Sequence, residues 1–181
     1  MMSDLSERME KTLDSARSQL ATVRTGRANP DILSKIMIDY YGSMVPISQM
    51  ASVSVPESMM LQVSVYDANA VKSVEKAILM SDLNLNPQVE GNVMRIRLPE
   101  LTEDRRKDLV RVVRKYIEDY KVAIRNIRRD EIDVIKAQEK DKEISSDESK
   151  QEQDSIQKIT NQFVAELDQL SAQKEKEILS F

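Results

Sequence analysis

The sequence predicts an α+β protein of two domains, an antiparallel three-helix bundle into which a small β/α/β domain is inserted. Three observations lead there. Towards both ends of the 181-residue chain apolar residues recur in steps of three and four, the spacing of a helix with one buried face; between about 31 and 98 the period falls to two, the spacing of half-buried strands. All 3 Gly and all 5 Pro fall at expected turns or linkers, so no helix is interrupted. Charged residues make up 32% and aromatic residues 4%, a mixture suited to helical bundles.

The first helix covers residues 3 to about 24, with Leu5, Met9, Leu13, Ala16, Leu20 and Val23 as its apolar stripe. Ser3 and Asp4 suit its N-terminal cap, and Gly26 suits its end. Asn29 then precedes Pro30, which pushes it out of the α region. Ile36, Ile38 and Tyr40 alternate with Met37, Asp39 and Tyr41, so this stretch is expected as a strand with Tyr40 and Tyr41 on opposite faces, closed by a turn at Gly42-Ser43. Val53 and Val55, then Leu61, Val63 and Val65, give two more strands. Residues 67–80 return to a helical period, with Val71, Val74, Ala77 and Ile78 on one side. Asn84, Asn86 and Pro87 end that helix, and Glu90-Gly91-Asn92 turns a short strand into the next, residues 93–98.

A long amphipathic helix follows, from 102 to about 138, roughly 50–55 Å at 1.5 Å per residue. Thr102 is its cap, Glu103 and Asp104 suit the positive end of its dipole, and Leu109, Val113, Tyr116, Ile117, Tyr120, Ile124, Ile127 and Val134 form its stripe. Lys107, Arg111, Arg114, Lys121, Arg125 and Arg129 share a face away from that stripe. Beyond a turn near Lys142, Ser145 and Glu148 form a capping box that starts the last helix, whose stripe is Ile156, Ile159, Phe163, Leu167, Leu170 and Ile178. The domain boundaries expected from this layout are 1–29 and 102–181 for the bundle and 30–101 for the inserted domain. The chain crosses between them twice, at 25–30 and 98–102. Those linkers hold Gly26, Ala28, Asn29, Pro30, Pro99, Glu100 and Leu101, and together they read as a hinge that bends about one axis.

Composition removes most enzyme classes. There is no His and no Cys, so the commonest general base, thiolate nucleophiles and the usual zinc ligands are absent; no GxxxxGK[ST] or GxGxxG occurs either. No apolar run reaches the ~20 residues of a membrane span, and the N-terminus lacks a signal-peptide core, so a cytoplasmic protein is expected. The formal net charge is −4, but it is unevenly spread: residues 103–130 hold 10 basic and 6 acidic side chains, whereas residues 141–181 hold 5 basic and 10 acidic ones. Taken alone, that basic run is what any solvated helix face carries; read for its local field, it would dock on a polyanion.

Five stretches carry a resemblance. Arg24-Thr25-Gly26-Arg27-Ala28-Asn29-Pro30, Tyr40-Tyr41-Gly42, the run from Ser81 to Pro87, the run from Leu98 to Lys107 and the run from Val122 to Asp130 are similar, in order and nearly end to end, to the signature blocks of the ribosome recycling factor family. The resemblance implies an L-shaped protein that binds the post-termination ribosome across the tRNA sites. With elongation factor G and GTP it would split the subunits and free mRNA and tRNA, itself catalysing nothing and needing no cofactor. It implies contact with large-subunit rRNA through the positions matching the family's bundle-tip arginines, Arg106, Arg125, Arg128 and Arg129, and through the linker arginines Arg24 and Arg27. Forked guanidinium groups suit phosphate, and structured RNA is read largely through backbone and shape. Asn84 stands where the family usually has Gly; Asn is the next most tolerant of left-handed dihedrals. Glu131-Ile132 replaces a usually small, polar pair. A coiled-coil adaptor is the competing reading, but a monomeric bundle consumes all three stripes and leaves no seam for a partner; neither DNA nor a membrane is expected to bind.

Overall fold

The computed structural model describes residues 2–180, and for residues 2 and 3 the backbone alone; the cap expected at Ser3 therefore lies outside the described side chains. The elements run α1 (Met2–Ala21), β1 (Met37–Tyr40), β2 (Ser43–Pro46), the single turn α2 (Ile47–Met50), β3 (Ala51–Glu57), β4 (Met60–Val65), α3 (Val71–Leu79), β5 (Gln88–Glu90), β6 (Val93–Arg97), α4 (Glu103–Lys140) and α5 (Ser146–Leu179). They group into two compact units. One takes the chain up to Leu20 with Val110–Lys176; the other takes Ala21–Leu109 and the chain from Glu177 onward.

The helical unit is built from α1, α4 and α5. Of the predicted α1 stripe, Leu5, Met9, Leu13, Ala16 and Leu20 are buried on α1; Val23 is buried too but lies past the end of the helix. Side-chain pairs fix the directions: Arg8 meets Asp130 at 3.4 Å and the Tyr120 hydroxyl donates to the Ser15 carbonyl at 3.2 Å, so α1 and α4 run antiparallel. Lys121 meets Asp168 at 2.5 Å and the Ser149 hydroxyl donates to Glu139 at 2.8 Å, so α4 and α5 do too. Buried on α4 are Leu109, Val110, Val113, Ile117, Ile124 and Ile135, with Tyr116, Tyr120 and Ile127 half-buried. The stripe therefore continues to Ile135, not to Val134, which is 43% exposed. Eleven residues at about 100° each bring Ile135 within about 20° of Ile124, whereas Val134 falls about 80° away.

The α4–α5 turn shows how sequence ends one helix and starts another. Lys142 takes a left-handed φ of 60°, its N–H donates to the Glu139 carbonyl, and the Glu143 N–H donates to the Gln138 carbonyl. This is a Schellman closure with a lysine where glycine would be unstrained. Three residues later the capping box forms in both directions: the Glu148 N–H donates to Ser145 Oγ at 3.1 Å, and the Ser145 N–H to Glu148 Oε2 at 3.0 Å.

The second unit holds a four-stranded antiparallel sheet, order β3-β4-β6-β5, and a separate β1–β2 ribbon. Leu61, Val63 and Val65 on β4, and Met94 and Ile96 on β6, turn inward onto Ile38, Ile47, Val74 and Ile78, while Arg95 and Arg97 turn out. Pro46 and Pro56 lie within strands, not at the expected turns. Pro56 is tolerated because β3 is an edge strand whose register shifts between Ser54 and Glu57, a bulge where no ladder N–H is missed. Several local expectations change. Helix α1 ends at Ala21, short of Gly26; residues 67–80 divide into a 3₁₀ turn at Ala68–Ala70 and α3; β2 and α2 occupy a stretch with no clear period. Asn84 does take the left-handed conformation, at φ 53°.

The two tyrosines do not lie on opposite faces of one strand. Tyr40 ends β1, packs on the core, and donates to Asp67 Oδ2 at 2.9 Å, whereas Tyr41 sits in the turn at φ 51° and is 81% exposed. That hydrogen bond, then partial burial, raises the Tyr40 phenol above its ordinary pKa. The stabilisation is present below the ordinary phenol range and is lost as pH rises through the raised value.

Two substitutions at the α4–α5 turn are expected to act in opposite directions. Ser145→Ala removes a cap and should cost about 0.5–2 kcal/mol, while Lys142→Gly relieves the left-handed backbone and should add about 0.5–1 kcal/mol. Thermal melts followed by circular dichroism at the helical band check both; a fall for Lys142→Gly would mean that its side chain, not its backbone, matters.

Candidate nucleic-acid interface

The six arginines expected to meet RNA fall into two groups. Arg24, Arg27 and Arg106 belong to the unit that carries the sheet; Arg125, Arg128 and Arg129 lie on α4 within the helical unit.

In the first group two arginines are committed to backbone. Arg24 Nη2 donates to the Pro99 carbonyl, joining one linker to the other, and its Nε is buried with no partner. Burial lowers the Arg24 pKa, and the like charge of Arg105 lowers it further. Arg106 donates from Nη1 to the Ile178 carbonyl at 3.2 Å and from Nε to the Leu101 carbonyl at 3.5 Å, satisfying a carbonyl in the last turn of α5 that helix geometry leaves open. Thr102 caps α4 as expected, accepting from the Arg105 N–H at 3.1 Å. Arg27 is exposed.

The linker residues are placed around the same point. The Ala28 N–H donates to the Ser58 carbonyl at 2.7 Å and the Leu98 N–H to the Met59 carbonyl at 2.8 Å, so both linkers are tied to the turn between β3 and β4. Asn29 is extended, φ −132° and ψ 123°, as a residue before proline must be, and its Oδ1 accepts from the Asp31 N–H to cap a 3₁₀ turn at Pro30–Leu33. Gly26, Pro99, Glu100 and Leu101 lie in irregular backbone.

The basic face expected along α4 is not one free field. Arg114 is held by Glu175 at 2.6 Å and Lys121 by Asp168, both on α5, and the Lys121 side chain is only 17% exposed. The Glu175 carboxylate raises the Arg114 pKa further. Lys107 reaches Glu103 at 3.6 Å, and Arg125 reaches Glu118 at 3.2 Å. Sequence reasoning missed Glu175 and Asp168 because an α5 acid is distant in sequence, although the opposite charge balance of α4 and α5 was the signal.

Arg128 is different. It lies about 40° from Ile124 around the helix, at the margin of the apolar stripe. Its Nη1 donates to Gln157 Oε1 on α5 at 2.8 Å, while its Nε is buried and unpartnered. Arg129, next to it, is exposed and makes no ion pair among the described residues. One turn separates Arg125 from Arg129, so the three guanidinium groups occupy a single stretch of helix.

Comparison with known proteins decides the family. The family model for the ribosome recycling factor matches residues 16–179. The chain belongs to the ribosome recycling factor family. It is 49% identical over 179 residues to the ribosome-recycling factor of Syntrophomonas wolfei, covering 99% of this chain and 97% of that one. To the factor of Bacillus subtilis it is 46% identical at the same coverage. Among solved structures it is similar to a solution structure of the ribosome recycling factor, with a TM-score of 0.78, 41% identity and coverage of 99% and 95%. It is also similar to a structure of the T. thermophilus ribosome recycling factor placed, with E. coli elongation factor G, on the E. coli post-termination complex, with a TM-score of 0.68, 48% identity and coverage of 98% and 96%. The family's fold, a helical bundle with a small sheet-bearing domain, is the architecture described above. Among the described residues no helix is long and apolar enough to cross a membrane, and no group of acids is placed to hold a metal.

The bond from Arg24 to Pro99 should restrain the linkers. Arg24→Ala is expected to speed trypsin cleavage after Arg27 by about threefold or more, because local opening sets the rate at such sites. Mass spectrometry of timed digests checks it; an unchanged rate would mean that the bond contributes no restraint.

Proposed function

We propose that this chain is a ribosome recycling factor at work: it binds the post-termination ribosome across the tRNA sites and, with elongation factor G and GTP, splits the subunits and frees mRNA and tRNA. The observation that carries this reading is the likeness over 98% of the chain to a recycling factor placed on that complex beside elongation factor G. The protein acts as a monomeric, cytoplasmic binding factor, not an enzyme, and needs no cofactor of its own.

Arg125, Arg128 and Arg129 are the principal contacts to large-subunit rRNA. What supports them is that Arg129 is exposed without an ion pair among the described residues, and that Arg128, held by Gln157 through Nη1, keeps its Nη2 donors unclaimed. Arg106, Arg24 and Arg27 make secondary contacts, since the first two are already engaged with backbone carbonyls. Residues 25–30 and 98–102 act as the hinge. Its fixed ends are Ala28 and Leu98, both anchored on the β3–β4 turn, and its freedom lies in Gly26 and the stretch around Glu100.

Light scattering of post-termination ribosomes with elongation factor G and GTP tests the activity: splitting is expected only when this protein is present, and no ribosome binding at all would overturn the reading. For the contact residues, Arg128→Ala should weaken ribosome binding about tenfold while the melting temperature moves by no more than about 4 °C, and wild-type affinity should fall steeply with salt as phosphate counterions are released. Early melting with normal binding by the folded variant would make Arg128 structural.

A further inference from the structure

We propose that Gln157 is a positioning residue for Arg128, locked in turn by Asn161, so that a relay on α5 aims an arginine of α4 at phosphate. The proposal rests on the rRNA-contact reading of Arg128 given above.

The chemistry of the three groups leaves one arrangement. A guanidinium has donors only, so it can bond Gln157 solely through the amide oxygen, and Arg128 Nη1 does so at 2.8 Å. The Gln157 amide nitrogen is then committed to point the other way, where it donates to Asn161 Oδ1 at 2.8 Å, one helical turn along. An amide that is bonded at both ends cannot flip, and it therefore presents a fixed acceptor to Arg128. The acceptor is also neutral. A carboxylate at 157 would hold Arg128 equally well but cancel the charge that phosphate needs, whereas glutamine orients the guanidinium and leaves its charge intact. Burial of Nε anchors the stem of the side chain, which leaves the Nη2 donors unclaimed among the described residues. The neighbours use the other solution: Arg125 and Arg114 are paired with Glu118 and Glu175, and their charge is partly spent within the protein. Preorganising one rotamer of a long side chain lowers the entropy lost on binding, which is the advantage such a relay confers.

The test combines a signal from the free protein with a double-mutant cycle on intact ribosomes. In the free protein, nitrogen-15 NMR of the arginine Nε–H groups should show Arg128 as slowly exchanging. Gln157→Leu should speed that exchange about tenfold, as the guanidinium swings into water, and Gln157→Glu should leave it slow. On ribosomes at fixed salt, Gln157→Leu is expected to weaken binding about 3- to 10-fold in the wild-type background and to have no further effect beside Arg128→Ala. Gln157→Glu should weaken binding too, with a shallower salt dependence, because the charge is cancelled while the position is kept. Asn161→Ala supplies a second way to loosen the relay and should behave as a milder Gln157→Leu. Equal loss from Gln157→Leu in both backgrounds, or an Arg128 Nε–H signal indifferent to it, would overturn the positioning role. Normal binding by Arg128→Ala would instead remove the contact reading beneath it, and the NMR result would stand apart from that failure.

Discussion

The helical unit depends on one constraint: each of three long helices must bury a single apolar stripe against the other two. Leu5, Met9, Leu13, Val113, Ile124 and Leu167 are fully buried, and nothing else in that unit could drive three helices together. The constraint explains why α4 and α5 contain neither Gly nor Pro, and why the polar residues that enter the interior come bonded. Thr160, on the α5 stripe, returns its hydroxyl to the Ile156 carbonyl, and Ser149 donates to Glu139 while accepting from Gln153. A slip of one turn between α4 and α5 would break the Ser149–Glu139 bond together with the ion pairs of Arg114 and Lys121. The stripe supplies the driving force, and these bonds select the register.

The same register accounts for the charge pattern. As a linear count, α4 is basic and the chain after it acidic, which suggests two separate fields. Folded, the two helices lie side by side and much of the contrast is internal, with Arg114 on Glu175 and Lys121 on Asp168. Each pair has one partner largely buried and one in water, and together they decide which cations of α4 stay free. Towards the far end of α4, Arg129 and the outer donors of Arg128 stay unclaimed among the described residues. The charge available to a polyanion is therefore smaller and more local than a helical wheel of α4 implies.

What was legible in the sequence was whatever depends on local period or local bonding. The α1 stripe was complete, the capping box at Ser145 and Glu148 formed in both directions, and Asn84 took the left-handed turn that its neighbours demanded. What was not legible depends on distant partners. Nothing near Tyr41 in sequence says that β1 stops one residue earlier, because the stop is set by pairing with β2 across the turn. Val134 and Ile135 are adjacent apolar residues, and only the accumulated rotation of a long helix chooses between them. Gln157 was invisible for a plainer reason: a glutamine on a polar stretch of helix signals nothing until the residue it faces on another helix is known. Polar side chains on α5 at stripe spacing, Ser149, Thr160 and Lys174, were a further hint that this interface carries more than apolar packing, and all three are buried.

The linkers extend that argument from side chains to chain connectivity. The stretches 25–30 and 98–102 are far apart in sequence, and each read alone is a free length of irregular chain. Here the two are not independent. Ala28 and Leu98 are bonded to consecutive residues, Ser58 and Met59, so both linkers leave the sheet from one point. Arg24 then bonds Pro99 and joins the two again beyond that point. Bonds that tie the two stretches to a common turn, and Arg24 to Pro99, are a restraint that no reading of Gly26, Pro30 and Pro99 alone could supply.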